Sequence, residues 1–233
     1  DYDISYDANR SYSQVYDSYL NKIVNIILEN VEINCLKNVL EIGFGDGKFL
    51  EKISLVKSLK QKNFFGFDPS YQENFHIDKC ELSKQYYSKD TKIEPNILIL
   101  RHTLEHISDV NSFLKTILHK NPKFFFIEVP CRSFVYKDNI HYFHNEHCSY
   151  FDDYSLQILL KKFGYKKIKM RKVFNGENLL TIFIKTKKEI NLKKKISKVP
   201  NKFNLDKFKN RINKKINFNN DFFWGAAGRG VVL

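Results

Sequence analysis

Asn38-Val-Leu-Glu-Ile-Gly-Phe-Gly-Asp-Gly47 is the stretch on which the fold is decided. Val39, Leu40 and Ile42 make a short apolar run that reads as a strand. It is closed by Gly43, Gly45 and Gly47, residues that let a backbone turn sharply and approach a ligand without a side chain in the way. Lys48 to Lys60 then reads as a helix with Phe49, Leu50, Ile53 and Val56 on one face. Asn63-Phe-Phe-Gly-Phe67 reads as a second strand, stopped by Asp68-Pro69. Strand, glycine turn, helix and strand make a βαβ unit. A GxGxxG dinucleotide fingerprint would require glycine where the chain has Lys48.

The same alternation continues on both sides. Ser11 to Val31 carries Val15, Tyr19, Ile23, Ile26 and Ile27 at helical spacing, and reads as an amphipathic helix leading into the core. Ile97–Leu100 is a buried-strand run, followed by a helix from Ile107 to Leu118. Phe124–Val129 is another strand, and Tyr154–Phe163 a helix stopped by Gly164. Lys166–Lys172 and Leu179–Ile184 pair as the last two strands. Strands alternating with helices imply an α/β, Rossmann-like fold, with a mostly parallel sheet and helices on both faces. The domain occupies residues 1–185. Residues 186–233 read as a basic linker and helix followed by a short C-terminal extension, which stops at Val231-Val-Leu233 as if within an element.

Of the 233 residues 42% are hydrophobic and 15% aromatic, enough for one full-sized core. No run of about 18 apolar residues suggests a membrane span. Cys35, Cys80, Cys131 and Cys148 are scattered, without a CxxC pair, which excludes a zinc ribbon and a disulfide framework and suits a cytoplasmic setting. The formal charge of +13 invites a nucleic-acid partner. Its concentration in Lys161–Lys172 and Lys185–Lys215, in a chain rich in Lys and Asn throughout, argues against one. A phosphorylated or nucleotide-linked small acceptor suits the same charge. The oligomeric state is not legible.

Asp68 stands at the end of the second strand, about 20 residues beyond the glycines, where a carboxylate can accept hydrogen bonds from both hydroxyls of a ribose. Alone, Asp68-Pro69 would simply begin a turn. With Glu41-Ile-Gly43-Phe-Gly45-Asp-Gly47 before it, the chain resembles the class I methyltransferases that use S-adenosylmethionine and release S-adenosylhomocysteine. That resemblance implies cofactor contacts from Glu41, Gly43, Phe44, Gly45, Gly47 and Asp68.

Two further segments narrow the resemblance. Arg101-His-Thr-Leu-Glu-His-Ile107 directly follows a strand, and His141-Tyr-Phe-His-Asn-Glu-His-Cys-Ser-Tyr-Phe151 carries a Glu-His pair before Ser-Tyr-Phe. Both are similar to stretches in bacterial methyltransferases of sugar and capsule pathways, including nucleotide-sugar C-methyltransferases. The resemblance implies cofactor-side roles for Arg101 and His102, His147 as general base, and Glu146 and His144 as its partners. Histidine suits a proton transfer near neutral pH. His106 reads as a packing residue at a helix end, and Ser149–Phe151 as helix entry. Metal binding by His141, His144 and His147, three residues apart, is the competing reading. The resemblance accounts for these residues without a metal, and none is expected.

Two departures bear on the acceptor atom. The C-methyltransferases carry tyrosine where this chain has His144, and no cysteine-rich zinc module precedes the domain here; both favour oxygen as the atom methylated. The aromatic lead-in around Tyr2, Tyr6, Tyr16 and Tyr19, and the closing Trp224-Gly-Ala-Ala-Gly-Arg-Gly230, also resemble longer family members. An RNA methyltransferase and a non-catalytic partner subunit of the same fold are the alternative expectations.

Overall fold

The computed structural model of the chain describes residues 13–135 and 144–187. The N-terminal part of the aromatic lead-in, His141 and the C-terminal extension beyond Lys187 lie outside the described residues.

Seven strands form one sheet in the order β3-β2-β1-β4-β5-β7-β6. They are β1 (Asn38–Ile42), β2 (Asn63–Phe67), β3 (Cys80–Ser83), β4 (Ile97–Arg101), β5 (Phe124–Pro130), β6 (Tyr165–Val173) and β7 (Asn178–Lys185). The first five run parallel, while β7 pairs antiparallel with both β5 and β6. Five helices accompany them: α1 (Gln14–Asn30), α2 (Lys48–Ser54), α3 (Val110–Ile117), α4 (Arg132–Val135) and α5 (Asp153–Lys161).

The apolar strands are buried on both faces because successive side chains point to opposite sides of the sheet. Val39, Ile97, Ile99, Phe124, Phe126, Leu180 and Ile182 enter one core with Leu20, Ile23 and Ile27 of α1 and Phe49, Leu50 and Ile53 of α2. Leu40, Leu98, Leu100, Phe125, Ile127, Leu179 and Phe183 enter the other, with Leu114 and Ile117 of α3 and Leu156 and Leu160 of α5. The three longest helices are capped by the side chains their sequence offers. Ser13 accepts from the Tyr16 amide, Asp109 from Ser112, and Asp152 forms a reciprocal capping box with Ser155.

Two helix bounds need adjustment, and two elements come in addition. The helix expected to run to Lys60 ends at Ser54, whose hydroxyl bonds back to the Glu51 carbonyl; Val56 is extended and Lys57–Leu59 forms a separate 3-10 turn. The helix expected from Ile107 begins only at Val110, where Asp109 caps it, and Leu104–His106 is a 3-10 turn. Edge strand β3 and the one-turn helix α4 were not anticipated. Among the described residues no helix is long and apolar enough to cross a membrane.

The order of strands reverses across the β1–β4 pair. In an open α/β sheet the crevice beyond the carboxyl ends of such strands is where ligands bind. The loop after β1, the loop after β2 and the turn after β4 all open there.

Candidate active site

Gly43, Gly45 and Gly47 all have positive φ, at +74°, +56° and +71°. A β-carbon at Gly43 would lie 2.3 Å from Thr103 Oγ1, and one at Gly47 would lie 2.7 Å from Ile77, so both are closed to side chains by packing as well as by conformation. Gly45 differs: a β-carbon there would meet nothing within 4 Å. At that position the bare backbone faces open space, as a backbone approached by a ligand must.

Asp68 follows β2 and is 6% exposed. Its Oδ2 accepts from the Gly45 amide at 2.8 Å, and its Oδ1 accepts from the amide and hydroxyl of Ser70 at 2.8 and 2.6 Å. One carboxylate thus ties the glycine loop to the end of β2. About four lone-pair sites are available to it, so three are engaged.

Phe44 is buried rather than turned to the crevice. Its ring packs edge-on against Tyr71 and Phe75, and it covers Gly66, where a β-carbon would come within 2.7 Å of it. Glu41 lies beneath the loop, almost wholly buried, and its Oε2 has no hydrogen-bond partner among the described residues. Burial pushes its carboxyl up to about 8, against the pull of Arg101. An orphaned polar atom beneath a loop over open space fits a polar ligand group at this end of β1.

Arg101 and His102 belong to a buried charged cluster at the ends of β4 and β5. Its centre is Glu128, fully buried, which accepts from Arg101 Nε at 2.7 Å, Asn178 Nδ2 at 3.1 Å and the Tyr19 hydroxyl, with His102 Nε2 at 3.3 Å. Burial alone would raise the Glu128 pKa, but Arg101, His102 and Tyr19 hold it far below the ordinary carboxylate range. Burial likewise opposes charge on His102, yet Glu128 and Glu105 more than offset it and raise that imidazole to about 9. The Arg101 guanidinium also lies 4.5 Å above the Phe49 ring. Arg101 Nε is therefore committed to Glu128, while its Nη2 has no hydrogen-bond partner among the described residues, and His102, at φ +49° and partly exposed, borders the crevice. Glu128 and Asn178 carried no signal in the sequence beyond being polar residues in apolar runs, while Tyr19 belongs to the aromatic lead-in.

The segment from His144 docks onto the turn after β4. The Ser149 amide donates to the Glu105 carbonyl, and Phe151 bridges to Cys131. His147 is brought to 4.8 Å, ring to ring, from both His106 and His144, with Tyr150 at 5.7 Å. Burial pushes the His147 imidazole down to about 4, and the neighbouring histidines add to this against the pull of Glu105. It is neutral at physiological pH. The Glu146 side chain is exposed, while its carbonyl lies 3.2 Å from His106 Nδ1. His144, expected beside His147, lies against its ring. His106, expected only to pack, stands beside them, as does Glu105, to which no role was given. Both lie in the motif quoted from the sequence, directly after a strand, which was the available signal.

No curated protein sequence matches this chain. Solved structures do. The magnesium protoporphyrin IX methyltransferase of Synechocystis PCC 6803 with bound S-adenosylhomocysteine superposes at a TM-score of 0.56 and 9% identity, over 78% of this chain and 91% of that one. The methyltransferase domain of a bacterial protein, CtHen1-C, does so at 0.56 and 15%, over 74% and 99%. The mitomycin 7-O-methyltransferase MmcR gives 0.56 and 12%, over 72% and 54%. At these identities the likeness concerns the Rossmann-like fold. A family model described as a methyltransferase domain matches residues 14–170, more than half of the sequence, and the chain belongs to that family.

Proposed function

We propose that this chain transfers the methyl group of S-adenosylmethionine to an oxygen of a small polar acceptor, a phosphorylated or nucleotide-linked sugar. The observation that carries the reading is the Gly43–Gly47 loop, open at Gly45 and tied to Asp68, with three imidazoles gathered at the neighbouring strand end. Gly43, Gly45 and Gly47 let the backbone pass beside the cofactor, Asp68 takes its ribose, and Glu41 lies beneath its polar groups. Holding both ribose hydroxyls requires Asp68 to release the Ser70 hydroxyl, which can rotate away. His102 borders the same crevice. Phe44 and Arg101 act from behind, by shaping the loop and the strand end.

The bound cofactor supplies an electrophilic methyl on a sulfonium. The protein's part is to align an acceptor oxygen with it and remove that oxygen's proton. His147, neutral at physiological pH, is the proton acceptor, with Glu146 and His144 beside it. The acceptor oxygen gains the methyl carbon as the carbon–sulfur bond breaks, and that electron pair stays on sulfur. A phosphoryl group on the acceptor would bring negative charge near His147 and raise its basicity, which suits a phosphorylated sugar. Capsule or surface-glycan tailoring follows from the resemblance of the two histidine motifs.

The test is turnover of S-adenosylmethionine with a panel of sugar phosphates and nucleotide-linked sugars. Turnover with one of them supports the reading; turnover with RNA alone would replace it. Exposed Lys166, Arg171 and Lys172 on edge strand β6 are the observation that favours RNA, whose binding would fall steeply with salt.

A further inference from the structure

Glu105 occupies a place that a carboxylate does not hold without compensation. It sits in the 3-10 turn after β4, its side chain is 1% exposed, and among the described residues neither oxygen accepts a hydrogen bond. His102 Nδ1 stands 3.4 Å from Oε1, and Oε2 has no hydrogen-bond partner among the described residues. Burying a carboxylate in this way is unfavourable by several kcal/mol unless a positive charge meets it.

The neighbouring groups are equally suggestive. His147 Nδ1 is buried and has no hydrogen-bond partner among the described residues. His106 meets the His147 ring edge-on at 4.8 Å, and its Nδ1 lies 3.2 Å from the Glu146 carbonyl. A ring nitrogen hydrogen-bonded to a backbone carbonyl is the arrangement that orients metal-bound imidazoles. One ligand atom from each of Glu105, His106 and His147 lies within 4.8 Å of the others.

We propose that Glu105, His106 and His147 form a binding site for one divalent transition-metal ion. One carboxylate and two imidazoles suit Mn²⁺, Co²⁺ or Zn²⁺ rather than Mg²⁺ or Ca²⁺, which favour all-oxygen sites, and three protein ligands leave positions open. An ion about 2.1 Å from each ligand needs ligand separations of roughly 3–3.5 Å, so the three side chains draw together on binding by about an ångström. Thr103, two residues before Glu105, packs on Gly43, which places the site beside the cofactor loop. An open position there is where an acceptor hydroxyl would be polarised. In the metal-bound state His147 gives its lone pair to the ion, and the acceptor's proton leaves to Glu146 or solvent.

This inference rests on the methyl-transfer reading for its purpose, but its test stands apart. The purified chain is stripped with a chelator and titrated with Co²⁺, following the visible absorption of the bound ion. One equivalent is expected to bind to the wild type and to the His76→Ala control, a highly exposed histidine between β2 and β3. Glu105→Gln and His147→Ala, with unchanged circular dichroism, should each bind at least tenfold more weakly. Binding of no ion, or binding untouched by either substitution, overturns the proposal. S-adenosylhomocysteine is titrated into the same stripped protein. Its binding there tests the methyl-transfer reading whichever way the Co²⁺ titration falls.

Discussion

Two glutamates at adjoining strand ends, both almost wholly buried, live in opposite circumstances. Glu128 is met by Arg101, His102, Asn178 and Tyr19, the last of which reaches across from α1. Glu105 shares that same His102, whose Nδ1 lies 3.4 Å from one of its oxygens, and its other oxygen has no hydrogen-bond partner among the described residues. A buried charge that is fully answered from within the protein belongs to the fold. One that is answered on one side only, at the mouth of a ligand crevice, is kept for something the protein binds. The contrast separates two roles that look alike in sequence, since each is a lone glutamate beside apolar residues.

The largest effect should come from breaking the answered member. Glu128→Ala leaves the buried Arg101 without its ion-pair partner and His102 with Glu105 alone, and should cost about 3–5 kcal/mol in urea unfolding. Glu105→Gln, in the absence of metal, should stay within about 1 kcal/mol of wild type, because His102 keeps Glu128 as its counter-ion and the loss of one long contact at 3.4 Å is offset by removal of a buried charge. Equal losses at the two positions would erase the distinction.

Asp68→Ala is expected next. Loss of charge-assisted hydrogen bonds of about 2 kcal/mol weakens S-adenosylhomocysteine roughly thirtyfold, in calorimetry on folded protein. Unchanged affinity would remove Asp68 from the ribose role.

Glu41 sharpens the comparison through pH. Its carboxyl is raised to about 8 by burial, so between its unfolded value of 4.5 and that point the folded state holds more protons than the unfolded one. Stability from this group is therefore fully present below pH 4.5 and declines as pH rises towards 8. Glu41→Gln should flatten that part of the stability–pH curve in denaturant titrations; an unaltered slope would show that Glu41 is not held neutral. A smaller effect than at Glu128 belongs to Gly45→Ala, which costs about 1–2 kcal/mol through its left-handed φ and places a methyl where the cofactor would lie. Its signature is weaker cofactor binding in a chain that still folds.

Much of this molecule could be read before any coordinates. β1, β2, β4 and β5 are short apolar runs with clear stops, and the glycine loop and Asp68 lie at a spacing that a βαβ unit imposes. β3 was not legible because Cys-Glu-Leu-Ser is too short to show a period, and its place comes from pairing with β2 at the sheet edge. The Glu128 cluster was hidden for another reason: its partners Tyr19 and Asn178 lie far away along the chain, and only the packing of α1 and the pairing of β5 with β7 bring them together. The acceptor side was legible as motifs but not as geometry. Glu105 and His147 are 42 residues apart, and their meeting depends on the Ser149 amide docking on the Glu105 carbonyl.

The most direct test of the central claim is a calorimetric titration of the whole chain with S-adenosylhomocysteine, paired with the Asp68→Ala variant. One-to-one binding in the micromolar range to the wild type, clearly weakened in the variant, is what a cofactor seated between Gly45 and Asp68 predicts. Absence of binding to the folded wild-type chain would contradict it, and would assign the glycine loop to another ligand.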